Sequence, residues 1–326
     1  MKKAIVITSI FPPTEAVEAF ARCEDHRLIV VGDRKTPPGW ACSGATYVSV
    51  EEQQSSPHSL AGRLPFNHYC RKMLGYLRAV EEDAEVIVDT DDDNIPKAGW
   101  SFPGFDGEFE RLPGGKGFVN IYRLFTSQHI WPRGLPLDLI QADSVPQGPF
   151  PREACRVGIW QGLADEDPDV DAIYRLTDDT PCYFNDRPPI VLGESTLSPY
   201  NSQNTATRRE LFPLLYLPVF VTFRFTDILR GLVAQPIMAR HGYQLGFVGA
   251  TVVQRRNPHD YMKDFVSEIP MYEHTRRVID IVSESLQGEL SLPDSMRAAY
   301  AALSRHGIVP NEELRTLECW LDDLRV

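Results

Sequence analysis

The sequence predicts an α/β fold with a mostly parallel central sheet, helices on both faces and a helical appendix at the C-terminus. Short apolar runs rich in β-branched residues, at 3–8 (KAIVIT), 27–31 (RLIVV) and 86–88 (VIV), alternate with helical patterns. Strands that alternate with helices are typical of parallel sheets. Three amphipathic stretches, at 275–287, 293–306 and 311–324, predict the helices of the appendix.

The composition excludes several classes of protein. The 326 residues carry a net charge of −12, so a broad basic surface for nucleic acid or for an anionic membrane is not expected. The six cysteines form no CxxC pair, which is typical of reduced thiols in a cytoplasmic protein. No apolar run reaches the length of a transmembrane span.

The first strands should deliver polar residues to one edge of the sheet. Thr14 is a suitable N-cap for a helix over 15–22, and Gly32-Asp33 ends the second strand. A third short strand is expected at 46–50. Because parallel strands end at the same edge, Thr8-Ser9 and Gly32-Asp33 should lie close together.

The stretch EVIVDTDDDNIPK, at 85–97, carries the strongest chemical signal. The buried-type strand at 86–88 breaks into Asp89, Thr90, Asp91, Asp92 and Asp93. Carboxylates this close repel one another, and a hard divalent cation with oxygen ligands would neutralise them. The alternative is a solvated acidic turn.

A helix is expected at about 67–83, with Asn67 as its cap and Cys70, Met73, Leu74 and Leu77 facing the core. Arg71 and Lys72 lie to the side of this apolar face. They belong either to a solvated surface or to a site that supplies cations to a phosphate.

The second half of the chain contains further candidates. The acidic run ADEDPDVDAIYRLTDD is a second carboxylate cluster or a solvated loop. The amide-rich segment PYNSQNTAT, with Asn201 and Asn204, suits hydrogen bonding to a polyol or an ordinary loop. A strand is predicted at 217–223, and Thr226 can cap a helix over 227–240 that has Asp227 in its first turn. His259 follows a strand at 243–253, in a polar loop.

The sequence lacks GxSxG, HExxH, a phosphate loop and GxGxxG. Serine hydrolases, zinc peptidases, P-loop NTPases and dinucleotide-dependent oxidoreductases therefore lose their usual sequence signals. An Asp-x-Asp (DXD) cluster after a buried strand suits Mn²⁺ or Mg²⁺ bridging a nucleotide diphosphate. By itself it fits a phosphatase or a kinase nearly as well.

Several segments, taken in order along the chain, resemble the motifs of a known protein family. The segments VITSIFPPTEA, VVGDRKTP, RKMLGYL, DTDDDNIP, PYNSQNT, TDILRG and RRNPHDYMKDF occur in this order. The series resembles that of the STELLO-type glycosyltransferases. A weaker similarity, through the three-Asp motif, GIWQGLADEDPDVDA and RFTDILRG, is to the reversibly glycosylated polypeptides (UDP-arabinopyranose mutases).

The resemblance implies a GT-A fold and a set of residue roles. Thr8, Ser9 and Asp33 would hold the base and ribose, and Arg71 and Lys72 would face the diphosphate. Asp91 would contact the ribose or the metal, Asp92 the nucleotide sugar, and Asp93 the metal. His259 would be a late metal or phosphate ligand, and Asp227 an acceptor-side carboxylate.

The hypothesis is therefore a cytoplasmic, metal-dependent glycosyltransferase that uses a nucleotide sugar, with UDP as the expected nucleotide and an unknown acceptor. A nucleotide-sugar mutase and a non-catalytic nucleotide-sugar-binding scaffold are the alternatives. Residues 1–270 would form the GT-A-like catalytic domain and residues 271–326 the helical appendix. The oligomeric state does not follow from the sequence.

Overall fold

A computed structural model describes residues 1–142, 145–146, 148–257 and 259–324. Pro258, within the motif RRNPHDYMKDF, lies outside the described residues. The strands are β1 Lys3–Thr8, β2 His26–Val31, β3 Ala45–Val48, β4 Val86–Thr90, β5 Asn94–Pro96, β6 Asp106–Arg111, β7 Gly117–Phe118, β8 Arg152–Glu166, β9 Ile190–Val191, β10 Thr196–Leu197, β11 Asn204–Arg208 and β12 Gln244–Gln254. The α-helices are α1 Glu15–Ala21, α2 Val50–Gln54, α3 Lys72–Glu81, α4 Ala172–Thr177, α5 Thr226–Arg240, α6 Tyr261–Ser285, α7 Leu292–Arg305 and α8 Asn311–Asp323.

In the described part of the chain, the main sheet has ten strands in the order β3-β2-β1-β4-β11-β8-β6-β9-β12-β5. The first four are parallel, as the sequence predicts. From β11 onward the sheet is mixed, because β11 pairs antiparallel with both β4 and β8, whereas β8 and β12 are parallel. The α/β architecture is confirmed.

Both faces of the sheet are covered. Within β1, Val6 packs in one apolar cluster, with Met73 and Leu77 of α3 and Leu229 of α5. Its neighbours Ile5 and Ile7 pack in a second cluster with Val17 and Phe20 of α1. Successive side chains of a strand point to opposite faces, so an unbroken apolar strand is buried on both sides.

The start of α3 differs from the prediction. A 3₁₀ turn, Tyr69–Arg71, precedes the helix, which begins at Lys72. Asn67 has φ of 57° and does not cap the helix, whereas His68 accepts a hydrogen bond from the amide of Cys70. The short polar side chain of Asn tolerates this left-handed conformation.

The predicted strand at 217–223 is wrong, since this segment runs as irregular chain between β11 and α5. Pro218 has no amide hydrogen to give to a sheet. The next two amides donate instead to the carboxylate of Glu313 in α8, from Val219 at 2.9 Å and from Phe220 at 2.8 Å. The hydroxyl of Tyr216 donates to the same carboxylate. The helical C-terminus therefore holds this segment, called the 217–225 loop below.

The C-terminal residues form the predicted helical region. The segments α7 and α8 match the predicted helices closely, and α6 begins earlier than expected, at Tyr261. Position 270, the predicted end of the first domain, falls inside α6. The division into two domains stays a prediction. Within the described residues, none of the helices combines the length and apolar character that a membrane crossing requires.

We predict that Glu313→Ala destabilises the fold by about 3–5 kcal/mol, because it leaves buried donors of the 217–225 loop without an acceptor. Glu312→Ala is the matched control, since Glu312 is the exposed neighbour in the same helical turn. It should cost less than about 1 kcal/mol. Urea unfolding measures both values. Equal losses of stability in the two variants would contradict the role of Glu313 in holding the 217–225 loop.

Candidate functional site

A cavity of about 380 Å³ opens at the carboxyl edge of the parallel strands. Thr8 and Ser9 follow from β1, Asp33 from β2 and the turn Asp91-Asp92-Asp93 from β4, and all of them line it. The expected meeting of these strand ends is therefore confirmed. Ser9 Oγ donates to Asp92 at 2.5 Å, which joins the first and fourth strand ends directly.

The Asp33 carboxylate is bound by backbone amides on both sides. It accepts hydrogen bonds from the amides of Arg34 at 2.6 Å and His68 at 3.3 Å. These bonds aim the side chain, and its oxygen atoms can still accept from hydroxyl groups of a ligand.

The acidic turn is poorly neutralised. Burial in the cavity raises the pKa of Asp91, Asp92 and Asp93, and repulsion between neighbouring carboxylates adds to the increase for Asp91 and Asp93. Gln254, from the end of β12, donates to both carboxylate oxygens of Asp93 at 3.2 Å. The site therefore orients its carboxylates but leaves them with an unfavourable excess of negative charge.

Lys72 does not line the cavity but acts beneath it. The fully buried ammonium group donates to Asp89 at 2.8 Å, to the carbonyl of Thr90 at 2.7 Å and to one carboxylate oxygen of Asp91 at 2.9 Å. Burial alone would lower the pKa of Lys72, but the two carboxylates outweigh it and raise the pKa. Lys72 therefore stays charged and fixes the start of the acidic turn.

Arg71 lies elsewhere than both sequence interpretations place it. Its side chain is neither solvated nor part of the cavity lining, and it is almost fully buried. The guanidinium donates to Gln53 at 2.6 Å and to the carbonyl of Leu64 at 2.8 Å, and it stacks on the ring of Phe66. These contacts tie α2 and the following loop to α3.

Asn201 and Asn204 are buried and do not line the cavity. The side chain of Asn201 accepts from the amide of Gln203, and that of Asn204 donates to Thr251 of β12 at 2.7 Å. Ser202 and Gln203, between them, line the cavity instead. The amide-rich segment thus shapes the site mainly by holding its own backbone.

Asp227 lines the far side of the same cavity, at the start of α5. Both of its carboxylate oxygens accept from Arg133 at 3.0 Å, and one accepts from Ser202 Oγ at 3.2 Å. Burial would raise its pKa, but the charges of Arg133 and Arg230 hold the pKa below its ordinary value. The Asp227 side chain is therefore ionised at neutral pH and can accept hydrogen bonds.

Sequence reasoning missed Arg133, and it considered Asp169 only as one member of the acidic run. Arg133 makes two hydrogen bonds of 2.7 Å to Asp169 as well as its contacts with Asp227. Asp169 is a buried part of the acidic run ADEDPDVDA, so the solvated-loop interpretation is wrong there. Asp169 lies in the acidic run and in the segment GIWQGLADEDPDVDA, but nothing in the sequence separates it from its acidic neighbours. For Arg133, the only trace in the sequence is an Arg among loop prolines and glycines, at WPRGLP.

His259 also lines the cavity and is exposed. Its Nδ1 lies 3.0 Å from Asp264 and 3.4 Å from a guanidinium nitrogen of Arg256. Among the residues that the structure describes, no group of three or more His, Cys, Asp or Glu side chains could hold a metal ion by itself. A cation here would need ligand oxygens from a bound molecule in addition to Asp91 and Asp93.

We predict that Arg133→Met raises the pKa of Asp227 above its ordinary value, because burial then acts without its main opposing charge. In the native protein Asp227 adds stability above pH 4 that is lost as pH falls. In the variant the pH dependence of the Asp227 contribution to stability has the opposite sign, so the variant becomes more stable as pH falls. Stability measured by urea unfolding between about pH 3 and pH 8 tests this.

Arg276→Met is the control for this variant, since it breaks an exposed Arg–Asp pair of 2.7 Å with Asp138. Its stability profile should follow that of the native protein. An unchanged profile in Arg133→Met would contradict the assigned electrostatics of Asp227.

Comparison with known proteins adds family evidence. The family model described as STELLO glycosyltransferases matches residues 224–326, which run from the end of the 217–225 loop through the C-terminal helices. "Probable glycosyltransferase STELLO1" of Arabidopsis thaliana is 25% identical over 344 residues, which covers 99% of this chain and 44% of the relative. "Probable glycosyltransferase STELLO2" of the same plant is 24% identical with the same coverage.

The chain thus spans less than half the length of these curated relatives. Among solved structures, the crystal structure of M. tuberculosis glucosyl-3-phosphoglycerate synthase aligns with a TM-score of 0.33 and 14% identity, covering 87% of this chain and 79% of that one. The resemblance to STELLO glycosyltransferases that the motif series predicts is confirmed over nearly the whole chain.

Proposed function

We propose that this protein is a metal-dependent glycosyltransferase that takes its sugar from a nucleotide sugar, with UDP as the nucleotide. One observation carries the proposal. The acidic turn Asp91-Asp92-Asp93, the strand ends Thr8-Ser9 and Asp33, and the buried carboxylate Asp227 all line one cavity. The names of the related proteins support transfer of a sugar, and the GT-A pattern supplies the roles.

The residues present fit a divalent cation. Burial raises the pKa of the Asp91 and Asp93 carboxylates, and repulsion from neighbouring carboxylates adds to the increase. Hard cations prefer such oxygen ligands. A bound Mn²⁺ or Mg²⁺ would neutralise the diphosphate that leaves the sugar. In this proposal Asp91 and Asp93 hold the cation.

The remaining residues would bind and orient the donor. Thr8 and Ser9 offer hydroxyl groups and Asp33 a carboxylate to the nucleoside. Lys72 keeps Asp91 in place from below, and Gln254 does the same for Asp93. His259 also lines the cavity, where it can donate to a phosphate or a sugar hydroxyl.

Asp227 would face the acceptor. Its lowered pKa makes it a weak base, and its ion pair with Arg133 restricts its motion. Both properties suit a carboxylate that accepts a hydrogen bond from the acceptor hydroxyl and orients it. Proton removal by Asp227 would require the hydroxyl to become more acidic as it reacts.

The first test is nucleotide binding. UDP with Mn²⁺ should raise the unfolding free energy by about 2.7 kcal/mol at a hundredfold excess over the dissociation constant. In EDTA this gain should disappear. Equal stabilisation by UDP with Mn²⁺ and with EDTA would rule out the metal bridge.

We predict two effects of the Asp93→Asn substitution, one on UDP binding and one on thermal stability. The variant should lose the Mn²⁺-dependent response to UDP, and without ligand it should melt higher than the native protein because a repulsive charge is gone. Each kcal/mol relieved corresponds to about 2–4 °C. Asp106→Asn, which removes an exposed carboxylate paired with Arg208, should do neither. Native-like UDP binding by Asp93→Asn would refute its assignment as a ligand.

We predict that Asp227→Asn retains UDP and Mn²⁺ binding but lowers sugar transfer by about 10²–10⁴-fold. Release of UDP from a panel of UDP-sugars, with and without mixed acceptors, measures transfer. Interconversion of sugar ring forms without UDP release would indicate a mutase. A variant as active as the native protein would exclude Asp227 from the reaction.

A further inference from the structure

An apolar groove of about 530 Å³ lies beside the cavity, between the 217–225 loop and the first turns of α6. Its apolar walls come from Phe223, Met262 and Val266. These side chains are 51%, 57% and 61% exposed, far more than apolar side chains of the core. Apolar side chains that lie together in one depression, rather than scattered singly over the surface, form a candidate contact surface.

The polar side chains that line the groove already have partners in the protein. Thr222 donates to the carbonyl of Ser267 at 2.6 Å, and Ser267 Oγ accepts from the amide of Arg224 at 3.2 Å. Asp260 pairs with Lys263 at 3.2 Å. The groove therefore offers mainly apolar contact to an occupant.

An exposed apolar stripe on α6 extends from the groove lining to Ile269. Met262 and Val266 are four residues apart on α6, and Ile269, which is 39% exposed, follows three residues later. This spacing places all three on one face of the helix, along about 10 Å of its axis. The opposite face of α6 is buried through Met271, Thr275 and Val278. An extended chain fits this stripe better than a compact ring.

The groove begins at the candidate site itself. Phe223 lines both the groove and the cavity. Its ring packs edge-on against Tyr69 at 4.7 Å between centroids. The hydroxyl of Tyr69 in turn contacts the carboxylate of Asp227 at 3.4 Å. One aromatic pair therefore separates the groove from the acceptor-side carboxylate.

The size of the groove favours a small occupant over a second protein chain. Seven of the described residues line it, whereas a stable protein interface uses about 20–30 residues on each side. The volume falls in the range of about 300–1,000 Å³ that is typical of small-molecule sites.

We propose that the groove binds the apolar chain of an amphiphilic acceptor, whose hydroxyl end reaches Asp227 in the cavity. The occupant is a single extended alkyl-type chain in the groove, with its polar end at Phe223. The acceptor role of this molecule rests on the proposed function, whereas the binding of an alkyl chain in the groove does not.

The test uses octyl β-glucoside below its micelle concentration and protein labelled at its methionine methyl groups. The chain has six methionines, and Met262→Leu assigns the groove signal. The Met262 signal should shift saturably, while that of Met271, buried on the other face of α6, should not. Affinity should rise from butyl to octyl β-glucoside by up to about fourfold for each CH₂.

Val266→Ser should weaken octyl β-glucoside binding about tenfold or more. Leu137→Ser is the matched control, since Leu137 is an exposed aliphatic residue that does not line the groove. Its affinity should equal that of the native protein. A Met262 signal that does not respond, or that responds equally to butyl and octyl β-glucoside, would overturn the proposal.

Three further measurements separate the alternatives. Binding to phosphatidylcholine vesicles without binding of the monomeric glucoside would overturn the single-chain site, and so would self-association that protects Met262. UDP binding with a silent Met262 would refute the groove and leave the proposed function standing. Octyl β-glucoside binding without any Mn²⁺-dependent UDP response would overturn the acceptor assignment together with the proposed function.

Discussion

The site depends on one buried carboxylate and its two cations. Asp89, fully buried in β4, accepts from Lys72 of α3 and from Arg230 of α5, each at 2.8 Å. Removing three such charges from water costs several kcal/mol per ion, and this cost is offset only when the geometry is good and the remaining donors are bound. Loss of one member would leave an unpaired buried charge, so the three groups keep strand and helices in a single arrangement.

The same two cations also position residues on both sides of the cavity. Lys72 also binds Asp91 and so orients the acidic turn. Arg230 also donates to the carbonyl of Asn201, in the loop that supplies Ser202 to the hydrogen bonds of Asp227. The carboxylates at the two sides of the cavity are thus connected through buried charges.

The C-terminal helices support the side of the cavity that contains Asp227. Glu313 holds the 217–225 loop through its backbone amides, and Glu268 of α6 binds Arg224 at 2.9 Å. The same loop places Phe223 at the boundary between cavity and groove. The helical region therefore supports the site through this loop, although its residues lie far from the acidic turn in sequence.

The sequence by itself determined the parallel strands, the acidic turn after β4 and the meeting of Thr8-Ser9 with Asp33, because apolar runs and their polar ends are local signals. Only the tertiary structure decided that Arg71 is buried, that Arg133 and Asp169 join Asp227, and that residues 217–223 leave the sheet. Each of these outcomes depends on a partner distant in the chain, such as Gln53, Asp227 or Glu313. A local pattern reports hydrophobic period and turn chemistry, whereas the partner of a buried charge is set by which elements pack together.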